Sequence, residues 1–377
     1  MIRNTNRNPF SAWWWTIDRL ILSSILIIIA VSAVMVATAS PAIADRIGLN
    51  SFYFIRRQLV YLCVALVTIF VISSLSIESI RRIAIIGFGL CLILMVIVLF
   101  KGLEIKGAKR WISLPGFSMQ PSEFIRPFFI VITGWILSLK YTEPNFPAFR
   151  ISLILYVVVM VLLLLQPDFG MSMTISAVWG AQLFLAGLSI LCIISVGLIS
   201  LFWLIAAYIF LPHVSKRINS FLDPSGSENY QIKKSIEAFI NGGFYGKGPG
   251  EGTVKQSLPD SHTDFIFAVI GEELGAIACL IVIGLFAFVV LRGFYRIAEE
   301  RNMFVAFAVA GLLMQFGMQS IINMGVTLRI MPTKGMTLPF ISYGGSSMIA
   351  ISVSVGMILG MTRKRYGVIG IKPGNVI

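Results

Sequence analysis

The residues best suited to chemistry lie between Leu258 and Gly275, where Leu-Pro-Asp-Ser-His-Thr-Asp runs directly into Phe-Ile-Phe-Ala-Val-Ile-Gly-Glu-Glu-Leu-Gly. His262, one of 2 histidines in the chain, stands here with Asp264 just ahead of an apolar run from Phe265 to Leu291. Asp264 therefore falls where water gives way to hydrocarbon. A carboxylate at such a boundary loses hydration, which favours its neutral form and raises its pKa unless a cation compensates. That setting suits a general base working near neutrality. The same residue also fits the first turn of a helix, where negative charge is favourable and Ser261 or Thr263 supplies a cap. Spacing alone leaves both readings open.

Other polar groups within apolar surroundings are few, which makes each of them informative. Glu272 and Glu273 follow two turns into the same run. On a regular helix Glu272 falls roughly 80° from Asp264 and Glu273 on the opposite side, so only Glu272 is expected to share the cavity of Asp264. Gln315, Gln319 and Asn323 recur every fourth residue and form one polar stripe, suited to lining a cavity or to interhelical hydrogen bonds. Glu123 and Arg126 are three apart and can pair, which lets both be buried as a structural element. Arg110, Arg329 and Lys334 sit among Gly, Pro and aromatic residues and are candidate anion ligands, whereas the scattered lysines also suit anionic lipid headgroups. Gly246-Lys247-Gly248-Pro249-Gly250-Glu251-Gly252 either cradles phosphate with its backbone amides or forms a flexible turn. No strand precedes it and no Lys-Ser or Lys-Thr pair closes it, so an ATP site is not expected.

Composition dictates the elements that must position these groups. With 57% hydrophobic and 12% charged residues over 377 positions, the chain is excluded from the soluble globular class and reads as an all-α polytopic membrane protein. Segments 20–37, 58–74, 83–100, 123–139, 150–166, 171–187, 189–211, 265–291, 303–325 and 340–361 are each long enough for one crossing at about 17–25 residues. The first is read as a retained helix despite the small-x-small pattern of Ala42-Ile43-Ala44, because it is long for a signal segment and further spans follow at once. Ten spans return both termini to one side. Arg81, Arg82, Lys140, Arg150, Arg292, Arg296, Arg301 and Arg363-Lys364-Arg365 all fall there, which places that side in the cytoplasm. The net charge of +13 is divided between two membrane faces and implies no nucleic acid. The expected organisation is one domain over 1–377, with a cytoplasmic segment 1–19, a large extracytoplasmic loop 212–263 and a cytoplasmic tail 362–377. In that loop Ser227 is placed to cap an amphipathic helix from Glu228 to Ile240, with Ile232, Ile236, Phe239 and Ile240 on one face and Gly242-Gly243 as its stop.

Taken together, these strings carry a resemblance. Gly107-Ala108-Lys109-Arg110-Trp111-Ile112, Gln120-Pro121-Ser122-Glu123-Phe124, Gln166-Pro167-Asp168-Phe169-Gly170, Pro259 through Phe267 with Glu272-Glu273-Leu274-Gly275, Asn323-Met324-Gly325-Val326 and Leu338 through Ser347 resemble the SEDS family (shape, elongation, division and sporulation) over nearly the whole chain. Pro332 through Pro339 looks more like its cell-division branch than its elongation branch. The resemblance implies a ten-helix peptidoglycan glycosyltransferase that polymerises lipid II at the outer face of the bacterial cytoplasmic membrane, at the division septum. It also implies that Asp264 is catalytic and Trp111 functionally important. Arg110, His262, Lys247, Arg329 and Lys334 are then expected to contact substrate and diphosphate. Glu123, Arg126, Asp168, Glu272, Gln315, Asn323, Ser342 and Tyr343 are the expected supporting polar residues. Two positions depart from the family pattern: Arg126 stands where lysine is common, and Met171 where threonine is common.

The implied chemistry inverts the anomeric centre, so one displacement and one base suffice. Asp264 would take the proton from the acceptor 4-hydroxyl, and Arg110, Arg329 and Lys334 would neutralise the departing undecaprenyl diphosphate, with a divalent cation such as Mg or Mn as an optional helper. No metal-ligand cluster is readable. Expected partners are polyprenyl-linked glycan, a class B penicillin-binding protein and other division proteins, with the lipid tails entering a groove that opens sideways between helices. Two other classes stay open: a lipid II flippase, disfavoured because no broken-helix pairs are readable in corresponding halves, and a non-catalytic scaffold of the division complex.

Overall fold

The computed structural model describes residues 9–46, 48–105, 108–114, 117–210, 215, 219, 230–332 and 335–364. Lys334, Gly107 and Ser227, all singled out above, lie outside these. The helices are α1 Pro9–Thr16, α2 Arg19–Arg46, α3 Tyr53–Ser74, α4 Ile77–Lys101, α5 Pro121–Leu139, α6 Ala148–Leu165, α7 Phe169–Leu185, α8 Ile190–Phe210, α9 Tyr230–Gly242, α10 Ile266–Ile297, α11 Met303–Thr327 and α12 Gly345–Met361. Every expected span coincides with an apolar helix. Seven of these, α2 to α6, α10 and α11, are long and apolar enough to cross a membrane; α7 and α12 are apolar helices of 17 residues and α8 has 21.

The helices are not equivalent. α5, α11 and α12 are buried on nearly every side, whereas α3, α4 and α6 leave long aliphatic rows exposed, among them Ile86, Ile93 and Ile154. A helix that is apolar all round is stable only in a core or against lipid, so the first set forms the centre and the second faces hydrocarbon. α5 packs on α4 and α11, and α12 packs on α3. Gly134 of α5 faces the Ala308 backbone of α11, where a Cβ would stand 2.8 Å from the Ala308 nitrogen. That close approach of backbones supplies dispersion contact where lipid leaves no hydrophobic drive between helices.

Three features depart from the all-helical expectation. The segment between α4 and α5 forms a small antiparallel sheet in the order β1-β2-β3, from Leu103–Ile105, Ala108–Leu114 and Phe117–Met119. Second, α10 is not continuous: Gly275 has φ 81° and ψ 177°, which divides it into Ile266–Leu274 and a longer arm from Ala276. The groups freed by the break are bonded by the glycine-rich loop, with Ala276 N–H donating to Gly243 O at 2.9 Å and Lys247 N–H to Glu272 O at 3.0 Å. Third, the inward face of α9 is rotated from the one expected: Ile232 is buried and Phe239 packs on Phe267 of α10 as the pattern implies, but Ile240 faces out. Ile232, Ser235, Ala238 and Gly242 are buried, whereas Ile240 is 76% exposed. Small residues win because α9 must lie close against α10, where Gly242 meets the Gly271 and Glu272 backbone.

At the opposite end Asp18 is buried. It caps α2 through the Leu20 and Ile21 amides and pairs with Arg292 at 3.1 Å and Arg296 at 3.3 Å. Arg363, just beyond α12, donates to Thr16 Oγ1 at 3.0 Å.

Candidate active site

Asp264 is carried on a turn, residues 260–265, that precedes α10. Asp260 opens the turn with φ 53° and its carbonyl accepts from the Thr263 and Phe265 amides. Three successive carbonyls of the turn are then held from outside. His262 O accepts from Tyr343 N–H at 2.8 Å, Thr263 O from Ser342 Oγ at 2.6 Å and Asp264 O from Asn323 Nδ2 at 2.9 Å. The same Asn323 amide also donates to Met336 O at 2.6 Å, so α11 ties the Asp264 turn to the 335–344 segment. Phe340 in that segment has φ 62°. Two non-glycine residues in the left-handed region within one cradle are a local strain of the sort found at functional sites. The half-buried Asp264 carboxylate faces Gly335, where a Cβ would stand 3.5 Å from Oδ2.

A second layer fixes the first. Arg126 pairs with Glu123, as their spacing predicts, and also donates to Gln319 Oε1 at 2.9 Å. Gln319 Nε2 donates to Thr337 O at 2.9 Å, and the Thr337 and Ser347 hydroxyls are bonded at 2.6 Å. Arg126 is buried and so is Gln319, so this chain runs from α5 through α11 to α12 in a medium where each bond is strong. Two members of the polar stripe thus serve the cradle; the third, Gln315, is buried with its Oε1 lacking a hydrogen-bond partner. Arginine at 126 matters here: its planar fork reaches Glu123 and Gln319 together, which suits a guanidinium better than an ammonium.

Several expected site residues have other work. Glu272 does not join Asp264. Its carboxylate accepts from Asn241 Nδ2, Thr253 N–H and Val254 N–H at 2.7–2.8 Å and from Lys255 N–H at 3.0 Å, so it organises the loop after α9. Glu273 pairs with the buried Lys255 at 2.5 Å and accepts from Gly250 N–H. Most amides of the glycine-rich loop therefore point at α10 rather than outward to a phosphate, while the Lys247 and Glu251 side chains are exposed. Arg110 donates to the Gln166 and Pro167 carbonyls and lies 3.9 Å from Asp168. Asp168 in turn caps α7 through the Met171 amide. This arrangement pins β2 to the α6–α7 corner, with Trp111 half-buried on the same strand. The Met171 side chain lies in the apolar core, so no hydroxyl function exists there. Arg329 is exposed at the end of α11 with φ 59°.

His262 is packed 4.8 Å from the Phe54 ring and 5.3 Å from the Tyr343 ring. Burial pushes its pKa down to about 4, partly opposed by Asp260. It is neutral at pH 7 and packs against the cradle between the Phe54 and Tyr343 rings. One cation went unnoticed in the sequence: Arg57 of α3, which hydrogen-bonds Tyr343 and lies 4.9 Å over the Tyr53 ring. Its neighbour Arg56 and the span that follows made it look like a flanking charge.

Among the described residues no group of three or more metal-ligating side chains occurs. On the lipid-facing side an apolar groove of about 550 Å³ runs between α4 and α6, lined by residues including Leu92, Val96, Ile97, Val157, Val161 and Leu162.

Comparison with known proteins gives the family. Residues 18–367 match the model of the FtsW, RodA and SpoVE family, described as cell cycle protein. The chain is 40% identical over 367 residues to a probable peptidoglycan glycosyltransferase FtsW of Caulobacter vibrioides, covering 97% of this chain and 94% of that one. It is similar to a chain in a structure described as "Structural coordination of polymerization and crosslinking by a peptidoglycan synthase complex", with TM-score 0.77, 26% identity and coverage of 92% and 97%. The rod shape determining protein RodA of Thermus thermophilus is also similar, with TM-score 0.69, 25% identity and coverage of 93% and 97%. The turn, the asparagine that holds it and the buried pair behind it are thus set in a fold shared along nearly the full length of these proteins, and the chain belongs to the FtsW, RodA and SpoVE family of cell cycle proteins.

Proposed function

We propose that this chain is a peptidoglycan glycosyltransferase that polymerises lipid II for septal wall synthesis, with Asp264 as the general base. The observation that carries the reading is the cradle. The turn is fastened through the carbonyls of residues 262, 263 and 264, so the backbone is fixed while the carboxylate is set toward the Gly335 segment. Fixing a base before substrate arrives removes orientation cost from the barrier. Asp264 accepts the 4-hydroxyl proton of the acceptor sugar as that oxygen attacks carbon 1 of the lipid-linked sugar, and the carbon–oxygen bond to the diphosphate breaks. The apolar groove between α4 and α6 suits a polyprenyl chain, which must remain in hydrocarbon while its head reaches the cradle. The active site faces the extracytoplasmic side, and the partner is a class B transpeptidase of the division machinery; the peptidoglycan synthase complex similar to this chain supports such pairing.

The test is polymerisation of labelled lipid II by the purified protein, with and without its transpeptidase, comparing wild type with Asp264→Asn of equal thermal stability. Polymer from wild type alone is expected. Polymer from both removes Asp264 as the base. Polymer from neither sends the question to lipid II translocation in vesicles, the flippase reading.

A further inference from the structure

Hydrocarbon penalises an amide, yet α3 carries one among aliphatic neighbours. Gln58 is 1% exposed, on a helix whose outer residues Leu59, Val60, Val64 and Val67 face lipid. Its Nε2 donates to Ser32 Oγ of α2 at 2.9 Å, while its Oε1 is buried with no hydrogen-bond partner among the described residues. An unmet buried acceptor is unfavourable. Packing of α2 on α3 would be served as well by an apolar side chain of the same length, so the amide is there for what it donates to.

Ser32 shows where that bond leads. Elsewhere in α2, Ser23 and Ser24 donate to Leu20 O and Thr38 to Met35 O, all within their own helix. Ser32 instead donates across to Ile341 O, at 3.3 Å. Ile341 is fully buried, and a carbonyl out of water needs a donor. Gln58 occupies the acceptor side of the same hydroxyl, which leaves its O–H aimed at Ile341.

The peptide that begins at Ile341 O carries Ser342. The Ser342 hydroxyl accepts from Leu338 N–H at 2.8 Å and donates to Thr263 O at 2.6 Å, which makes it the pivot between the 338–342 turn and the Asp264 turn. Phe340, just before Ile341, has φ 62°, a conformation that persists only where the surroundings hold it. Phe54, one turn before Gln58, packs 4.8 Å from the His262 ring and 5.2 Å from the Tyr343 ring, so α3 meets both turns.

We propose that Gln58 and Ser32 are positioning residues for Asp264: their chain of bonds sets the Ile341–Ser342 peptide, which holds Thr263 and through it the direction of the carboxylate. The inference rests on the glycosyltransferase reading and deepens it, placing part of the machinery on α2 and α3, away from the motifs that carry the family resemblance.

The experiment measures lipid II polymerisation with the transpeptidase partner, alongside melting in detergent, for wild type, Ser32→Ala, Ser32→Thr, Gln58→Met, Ser342→Ala and the Ser32→Ala/Ser342→Ala double variant. Ser152→Ala serves as reference, because it removes the acceptor of Trp179 Nε1 at 2.7 Å, a buried bond outside the cradle. Expected for Ser32→Ala and Gln58→Met is a fall in kcat of about tenfold with KM unchanged. Ser32→Thr keeps the hydroxyl and should stay near wild type, and Ser152→Ala should melt early with normal kcat. The double variant is expected to lose no more than Ser342→Ala alone, as for residues acting along one chain. Additive losses overturn the proposal. So does an unchanged kcat in Ser32→Ala, or a fall that Ser152→Ala matches, which assigns the pair to stability. A raised KM with kcat intact overturns it in favour of direct contact with substrate. Where Ser32→Ala melts too early to assay, Gln58→Met decides by the same readings. Hydrogen exchange of the amides in 260–265 keeps this inference apart from the wider one. In a wild type that makes no polymer, faster exchange of that turn in Ser32→Ala fails only the glycosyltransferase reading, and equal exchange overturns the positioning as well.

Discussion

Single residues divide here by what they bond rather than by their charge. Glu272 accepts three backbone N–H groups and one side-chain amide, so removing it strands buried donors. Each stranded donor costs about 1–3 kcal/mol, and Glu272→Ala is expected to lower the melting temperature in detergent by many degrees, with Glu272→Gln losing less. Lipid II turnover per folded molecule should fall much less than in Asp264→Asn. The sequence placed Glu272 with Asp264 because a turn of 100° per residue assumes one helix, whereas Asp264 lies in the turn ahead of it. Residue type alone could not reveal the acceptors. His262 makes a separate prediction. Its folded pKa of about 4 lies below the ordinary 6.5, so the unfolded chain binds the extra proton first on acidification. Stability is complete above about pH 6.5 and declines down to about pH 4, by on the order of 3 kcal/mol for this group. Melting curves of wild type and His262→Gln should therefore converge as pH falls through that window, after allowance for the carboxylates common to both.

At the scale of elements, the break in α10 was illegible because hydrophobicity continues through it and a lone glycine is tolerated in a helix pattern. What reveals it is the partner: Gly246 and Phe244 of the preceding loop occupy the space beside Gly275. Gly275→Ala is expected to destabilise by at least about 1–3 kcal/mol, from the left-handed φ together with collision against that loop. A thermal melt checks it, and a melt equal to wild type would mean the helix runs straight. The three strands between α4 and α5 were missed for another reason, since β1 and β3 have 3 residues each and offer no period to read. The inward face of α9 was legible at Ile232 and Phe239 but not at Ile240, which faces out while Ser235, Ala238 and Gly242 meet the neighbouring elements. The polar stripe on α11 was legible as a row of paired groups but not by its partners: Gln319 bonds Arg126 and Thr337, and Asn323 bonds the Asp264 and Met336 carbonyls.

For the whole molecule, hydropathy made the ten spans legible, because lipid demands long apolar helices whatever their neighbours. It did not by itself pick out the centre: α5 and α11, which are central, are the less apolar spans, and α4 and α6, which face lipid, the more apolar. Connections between distant ends were also hidden. Asp18 joins the start of α2 to the end of α10 through Arg292 and Arg296, and Arg296 reaches Thr362 at the end of α12. Asp18→Asn leaves two arginines facing a neutral partner at a buried position, and loss of such a pair costs about 3–5 kcal/mol. Early melting with normal KM in the surviving fraction is expected; an unchanged melt would show that the cap, not the charge, matters. Asp264 itself is suspended by its main chain, through Asn323 and its two preceding carbonyls. Silencing its side chain therefore leaves the outer contours of the protein as they were. On the proposed assignment of Asp264 as the base and of a division-machinery partner, a cell making both forms should take up inert copies as readily as working ones, so that the defective allele behaves as a dominant poison whose severity tracks the ratio of the two.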